Sequence, residues 1–173
     1  MKKNKKILVI ASHPDDEVLG CGGTLIKYSK MNYQIKIIFM TNGVSSRSKK
    51  KKEEILKRKK AALKSCKILG ANTPKFFDFK DNQMDSVPLL KIVKKIEKEI
   101  FTFKPSIIFT HFDGDLNIDH EITSRATVTA CRPMTKHPVK TLYMFYIPSS
   151  TEWNFNKNKK NFVPNWFEDI SKS

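Results

Sequence analysis

The chain has 173 residues and no run near the ~18 apolar residues of a membrane helix, so a cytoplasmic protein with no transmembrane segment and no cleaved leader is expected. Cys21, Cys66 and Cys131 are odd in number and form no CxxC pair, which speaks against both a disulfide framework and a thiolate zinc site. The net charge of +16 is almost all lysine, with Arg only at Arg47, Arg58, Arg125 and Arg132; it reads as solvated surface rather than a phosphate-reading face, and no specific nucleic-acid partner is expected.

The short apolar run Ile7 to Ile10 reads as a buried strand. It empties into Ala11-Ser12-His13-Pro14-Asp15-Asp16-Glu17, an imidazole and two aspartates at a strand's carboxyl end, where open α/β sheets bind their ligands. Gly20, Gly22 and Gly23 punctuate the start of an amphipathic stretch to about Met31. Gln34 to Met40 is a second buried strand, closed by the turn Thr41-Asn42-Gly43. Ser45 to Lys52 reads as a polar loop with a solvated lysine tip at Lys49 to Lys52. A helix follows from about Glu53 to Leu69, stopped by Gly70.

Lys75 to Phe79 makes a third strand, and a loop through Asp81-Asn82 leads to a helix from about Leu89 to Phe103. In that helix Leu89, Ile92, Val93, Ile96 and Ile100 fall on one face. After Pro105, Ser106 to Thr110 is a fourth strand. It opens into a second polar cluster, His111-Phe112-Asp113-Gly114-Asp115-Leu116-Asn117-Ile118-Asp119-His120, before a helix from about His120 to Cys131. Thr141 to Ile147 is a fifth strand. The tail beyond Pro148 carries Trp153, Phe155, Phe162, Trp166 and Phe167 and a short segment that could be a sheet-edge strand. The expected fold is α/β, a three-layer domain over residues 1–173 with a largely parallel sheet and both polar clusters on one edge.

A catalytic zinc site takes three protein ligands, commonly His and Asp or Glu, and keeps one position open. His13 and Asp16 can meet one ion from a strand-to-helix turn, with His120 as the third donor and Asp15 left beside them as a base. By spacing alone the alternative stands: Asp15 or Asp16 could cap the first helix and Asp119 the fourth. His111 competes for the ligand role, and His137 is a polar residue without an assigned part.

Taken in order, Ser12-His13-Pro14-Asp15-Asp16-Glu17, Leu19-Gly20-Cys21-Gly22-Gly23, Thr41-Asn42-Gly43, Arg58 on the second helix and Asp115-Leu116-Asn117-Ile118-Asp119-His120 resemble the LmbE-like or PIG-L family of zinc-dependent N-deacetylases. The resemblance covers nearly the whole chain and implies a Rossmann-like fold. It further implies zinc, with Fe(II) able to share the ligands, on His13, Asp16 and His120. Asp15 is implied as general base, Arg58 as a substrate contact and Asp119 as a supporting group beside the third ligand. The implied reaction frees an amine and acetate from an N-acetylated amino sugar or a glycoconjugate precursor. Some members carry a His where this chain has Asn117, whose amide can still donate to an oxyanion but cannot titrate. Members also commonly continue past a segment like Pro164-Asn165-Trp166-Phe167, so a truncated, non-catalytic metal- or sugar-binding member is the alternative reading.

Overall fold

In a computed structural model, residues 5–44, 51–133, 139–155 and 161–171 are described. The first part of the lysine-rich loop (45–50) and His137 lie outside these residues. Five strands, β1 (Lys6–Ala11), β2 (Gln34–Thr41), β3 (Lys75–Phe79), β4 (Ile107–His111) and β5 (Thr141–Phe145), form one sheet in the order β3-β2-β1-β4-β5. Every pairing is parallel. β1 is central, with Ile7 registered against Ile35 on one side and Ile107 on the other, and alternate residues feed opposite faces.

Those two faces explain the residue choice. Ile7, Val9 and Ala11, with Ile35, Ile37 and Phe39, pack against Cys21, Leu25 and Tyr28 of α1 (Asp16–Lys30) and Ala62 and Cys66 of α2 (Lys51–Ile68). Leu8, Ile10, Ile38, Met40 and Ile108 pack on the other face. They meet Ile92, Val93, Ile96 and Ile100 of α3 (Leu89–Phe103) and Ala126 and Ala130 of α4 (Ile118–Ala130). A strand buried on both sides reads as a continuous apolar run, as β1 does. The three layers are therefore helix, sheet, helix.

Most element boundaries fall within a residue or two of the sequence-based expectation, and three differences carry information. α1 begins at Asp16 and takes in all three glycines, with non-helical dihedrals at Cys21 marking a kink. The reason lies in packing: a Cβ at Gly20 would overlap the Phe145 ring and one at Gly23 would press on Ile170, so small residues let α1 lie close to β5 and the tail. α2 starts at Lys51, so the end of the expected loop is already helical. The tail forms no strand among the described residues. It is held instead by Glu168, which accepts from Lys27 Nζ and Tyr28 Oη, and by Trp166 tilted against Tyr143. All three cysteines are free.

Gly20→Ala is expected to cost about 1–3 kcal/mol or more, because the rigid Phe145 ring must move inside a packed core. Gly22→Ala, where the nearest atoms to a Cβ are Val18 and Leu69 carbons at 3.6 and 3.7 Å, is expected to be neutral or stabilising by up to about 1 kcal/mol. Thermal unfolding of the two variants measures the contrast.

Candidate active site

A strand order of 3-2-1-4-5 reverses direction between β1 and β4, and at such a switch point the loops leaving the two strands diverge and open a crevice. The Ser12–Glu17 segment leaves β1 there, and the 112–117 loop leaves β4 beside it. His13 N–H donates to Asp16 Oδ2 at 2.7 Å, which folds the Asp16 carboxylate back over the turn. Across the crevice, His120 sits in the first turn of α4 and points its Nε2 at the same spot.

Three donor atoms converge. His13 Nδ1 lies 3.1 Å from His120 Nε2 and 3.3 Å from Asp16 Oδ2, and the His120 to Asp16 separation is 3.4 Å. Ligands about 2.0–2.1 Å from a tetrahedral zinc ion stand about 3.3–3.4 Å apart, so the spacing fits one ion with a corner to spare. The far nitrogen of each ring is held by carboxylates. His13 Nε2 is 3.2 Å from both Asp119 Oδ2 and Asp81 Oδ1, and His120 Nδ1 is 3.2 Å from Asp115 Oδ1. That arrangement fixes ring orientation and leaves the inward nitrogens as lone-pair donors.

The electrostatics point the same way. Burial pushes the His13 imidazole toward its neutral form, but hydrogen bonds to Asp119, Asp16 and Asp81 outweigh it and hold the pKa well above that of a free imidazole. His120 is likewise raised against its burial, by Asp115 and Asp16. Burial alone would lift the Asp16 carboxyl; contact with the His111, His120 and His13 rings instead brings it well below the usual carboxylate range. His111 is itself driven down to about 4, chiefly by burial. Buried carboxylates crowded around two imidazoles make a site for a cation, whether bound protons or a metal ion that displaces them.

The remaining expected residues take distinct places. Asp15 turns outward, with its side chain 43% exposed, and pairs with Arg58 Nη2, while Arg58 Nη1 donates to the Gly43 carbonyl. Gly43 has φ of +66°, and a Cβ there would crowd Arg58 and His13, so the glycine makes room for the guanidinium. Arg58 thus contacts Asp15 from α2 while still lining the cavity. Asn117, not Asp119, caps α4: its Oδ1 accepts the Asp119 N–H at 2.9 Å, leaving Nδ2 as its donor group.

Asp119 is buried, as a supporting group should be, yet it supports His13 and not the neighbouring His120. The start of α4 turns it under the loop after β3, where its oxygens also take the backbone N–H groups of Asn82 and Met84. The His120 ring is supported by Asp115, which also accepts from Ser150 and Thr151. Asp81 and Asp115 have no assigned role in the sequence; their loop positions at the sheet's carboxyl edge are the signal that points to them. His111 is outside the donor trio; its Nε2 accepts the Ser12 N–H at 2.9 Å and its ring stacks on His120 at 3.9 Å.

These groups surround a polar cavity of about 250 Å³, lined among others by Leu19, Asn82, Asn117 and Ser149. A larger one, about 480 Å³, opens between α1, β5 and the tail, but its walls are aromatic and its Glu168 is already committed to Lys27 and Tyr28. The smaller cavity is the one lined by His13, Asp16 and His120.

Residues 8–131 match the PIG-L family, described as GlcNAc-PI de-N-acetylase. The chain belongs to that family. It is 30% identical over 135 residues to the uncharacterized deacetylase YaiS of Escherichia coli, covering 75% of this chain and 70% of that protein. It is 23% identical over 182 residues to a probable N-acetyl-alpha-D-glucosaminyl L-malate deacetylase 2 of Bacillus anthracis, covering 98% and 80%. The crystal structure of N,N'-diacetylchitobiose deacetylase from Pyrococcus horikoshii superposes with a TM-score of 0.72 at 22% identity, a likeness of fold. That match covers 85% of this chain, which spans 62% of that one. No helix among the described residues is long and apolar enough to cross a membrane.

Within the same motif, Glu17 is buried; its Oε1 accepts from Ser65 and its Oε2 has no partner among the described residues. Burial pushes its carboxyl up to about 7. A raised folded-state pKa contributes stability that is present below the unfolded value near 4.3 and lost as pH climbs through 7. Glu17→Gln should therefore match the wild type at about pH 4 and exceed it by about 1–3 kcal/mol at about pH 8.5, read from melting curves of metal-stripped protein.

Proposed function

We propose that this protein is a metal-dependent N-deacetylase, a carbon-nitrogen amide hydrolase that removes acetyl from an N-acetylated amino sugar or a glycoconjugate precursor. The observation that carries the reading is the convergence of His13 Nδ1, Asp16 Oδ2 and His120 Nε2 in a cavity that also contains Asp15. The names of the family and of its relatives, which speak of acetylated glucosaminyl compounds, give the substrate class. His13, Asp16 and His120 would hold the ion, with zinc favoured by the tetrahedral spacing and Fe(II) able to use the same donors. When bound, the ion supplies Lewis acidity toward the acyl oxygen and makes water acidic enough to attack near neutral pH.

The chain's own groups then divide the work. Asp15, solvent-accessible and one residue from a proposed ligand, accepts a proton from the attacking water and returns it to the departing nitrogen, so that amide plus water gives acetate plus amine. Arg58 holds that carboxylate in place and offers the substrate a cationic wall. Asn117 Nδ2 donates to the developing oxyanion, and because an amide does not titrate, both proton transfers fall to Asp15. Asp119, Asp81 and Asp115 orient the two rings from behind.

Purified protein is expected to bind one divalent ion and to lose acetate release on chelation, with recovery on adding zinc. Asp15→Asn should retain the ion and lose about 10²–10⁴-fold in kcat, the usual worth of a general base. A protein that takes up no divalent metal, or whose Asp15→Asn form keeps its turnover, is not this enzyme; the second outcome with metal bound would favour a binding protein. Asp115→Asn should weaken metal affinity about 10–100-fold by releasing the His120 ring, measured by competition with a chromogenic chelator.

A further inference from the structure

Among the described residues, three non-glycine residues have positive φ, namely Asn32, Asn82 and Lys104; Asn32 follows the end of α1 and Lys104 caps α3. Asn82, at φ of +58°, lines the catalytic cavity. The left-handed region disfavours residues with a Cβ, and asparagine is among the few that tolerate it. Its backbone is fixed there from below. Asp119 Oδ2 takes the Asn82 N–H at 2.7 Å and Oδ1 takes that of Met84 at 3.1 Å, so the carboxylate that steadies His13 also locks this turn. The side chain itself is exposed, and its amide has no hydrogen-bond partner among the described residues.

Several polar groups of the cavity wall are already engaged: Asp15 with Arg58, Ser150 with Asp115, and Asn117 Oδ1 with the start of α4, its Nδ2 being assigned to the oxyanion. Asn82 contributes an uncommitted carboxamide, with two donors and one acceptor. A pair of adjacent ring hydroxyls, each able to donate and accept, is the complementary surface. If the acetamide end of the substrate occupies the donor trio and Asp15, the ring hydroxyls are what remains to be recognised.

Resting on the deacetylase reading, we propose that the Asn82 carboxamide is a specificity-determining contact that hydrogen-bonds ring hydroxyls of the amino sugar, presented by a left-handed turn that Asp119 holds. An alternative role as a mere turn residue is separable, because glycine adopts this backbone without penalty and lacks the amide.

The test compares wild type, Asn82→Gly and Asn82→Ala, all zinc-loaded, on N-acetylglucosamine and its C4 epimer N-acetylgalactosamine. Acetate release is followed alongside sugar binding by saturation-transfer NMR and thermal melting. Asn82→Gly is expected to keep its melting temperature and metal content. Its KM should rise about tenfold with kcat changed less than about threefold, and its preference between the epimers should shrink. Asn82→Ala should show the same loss of binding together with a lower melting temperature. Wild-type KM and epimer ratio in Asn82→Gly would overturn the proposal while leaving the deacetylase reading intact, as would a fall in kcat that tracks lost metal. A wild-type protein that neither binds nor deacetylates an N-acetyl sugar overturns both.

Discussion

The fully buried carboxylate of Asp119 ties the candidate site together. Its oxygens accept from the Asn82 and Met84 backbone after β3 and lie against His13 Nε2 after β1, while its own carbonyl accepts from Ser12 Oγ. Two segments, 106 and 37 residues away from it along the chain, thereby meet on one residue. A carboxylate with no solvent exposure is costly unless every lone pair is used, and here the cost is offset by two backbone N–H groups and an imidazole. The His13 ring is consequently fixed from one side, so its other nitrogen has a defined position in the crevice.

That local constraint works only because the sheet brings the loops together. β1 is central and pairs β2 on one flank and β4 on the other, so the segment leaving β1 and the segment leaving β4 emerge side by side at the carboxyl edge. His111, the last residue of β4, fills the floor between them: its Nε2 takes the Ser12 N–H and its ring stacks beneath His120, with Phe145 edge-on behind it. The glycine at position 20 is part of the same arrangement, since it admits the Phe145 ring that backs His111. Core packing and site geometry are one problem at this end of the molecule.

Much of this was legible in the residues. Apolar runs bounded by turn residues located all five strands, and the period of α3 was clear because one face is aliphatic and the other lysine. The donor trio was approachable because each member stands in a polar cluster directly after a buried strand. What stayed hidden has a common cause: it depends on which way a side chain turns after its backbone is placed. Asp119 precedes His120 in sequence but reaches His13, because successive residues of a helix point about 100° apart. The support that His120 does receive comes from Asp115 in the preceding loop, itself held by Ser150 and Thr151 beyond β5. No local pattern relates positions 115, 120 and 150. The three glycines of α1 suggested a late helix start, whereas their real role is contact with Phe145 and Ile170, which only tertiary packing defines.

Asp15 and Asp16 are neighbours in sequence with opposite environments, and the proposed chemistry rests on that contrast. Asp16 opens α1, is 3% exposed, and is turned inward by the His13 N–H. Asp15, just before the helix, has no capping bond to tie it down and faces the cavity, where Arg58 meets it. A ligand has to be desolvated and immobile, whereas a group that shuttles protons has to reach both water and the leaving nitrogen. Placing the two carboxylates on either side of a helix start separates those requirements with a single peptide bond. Arg58 completes the division: anchored to the Gly43 carbonyl, it restrains the exposed carboxylate without burying it, so the base remains in solvent contact and within the cavity that the donor trio shares.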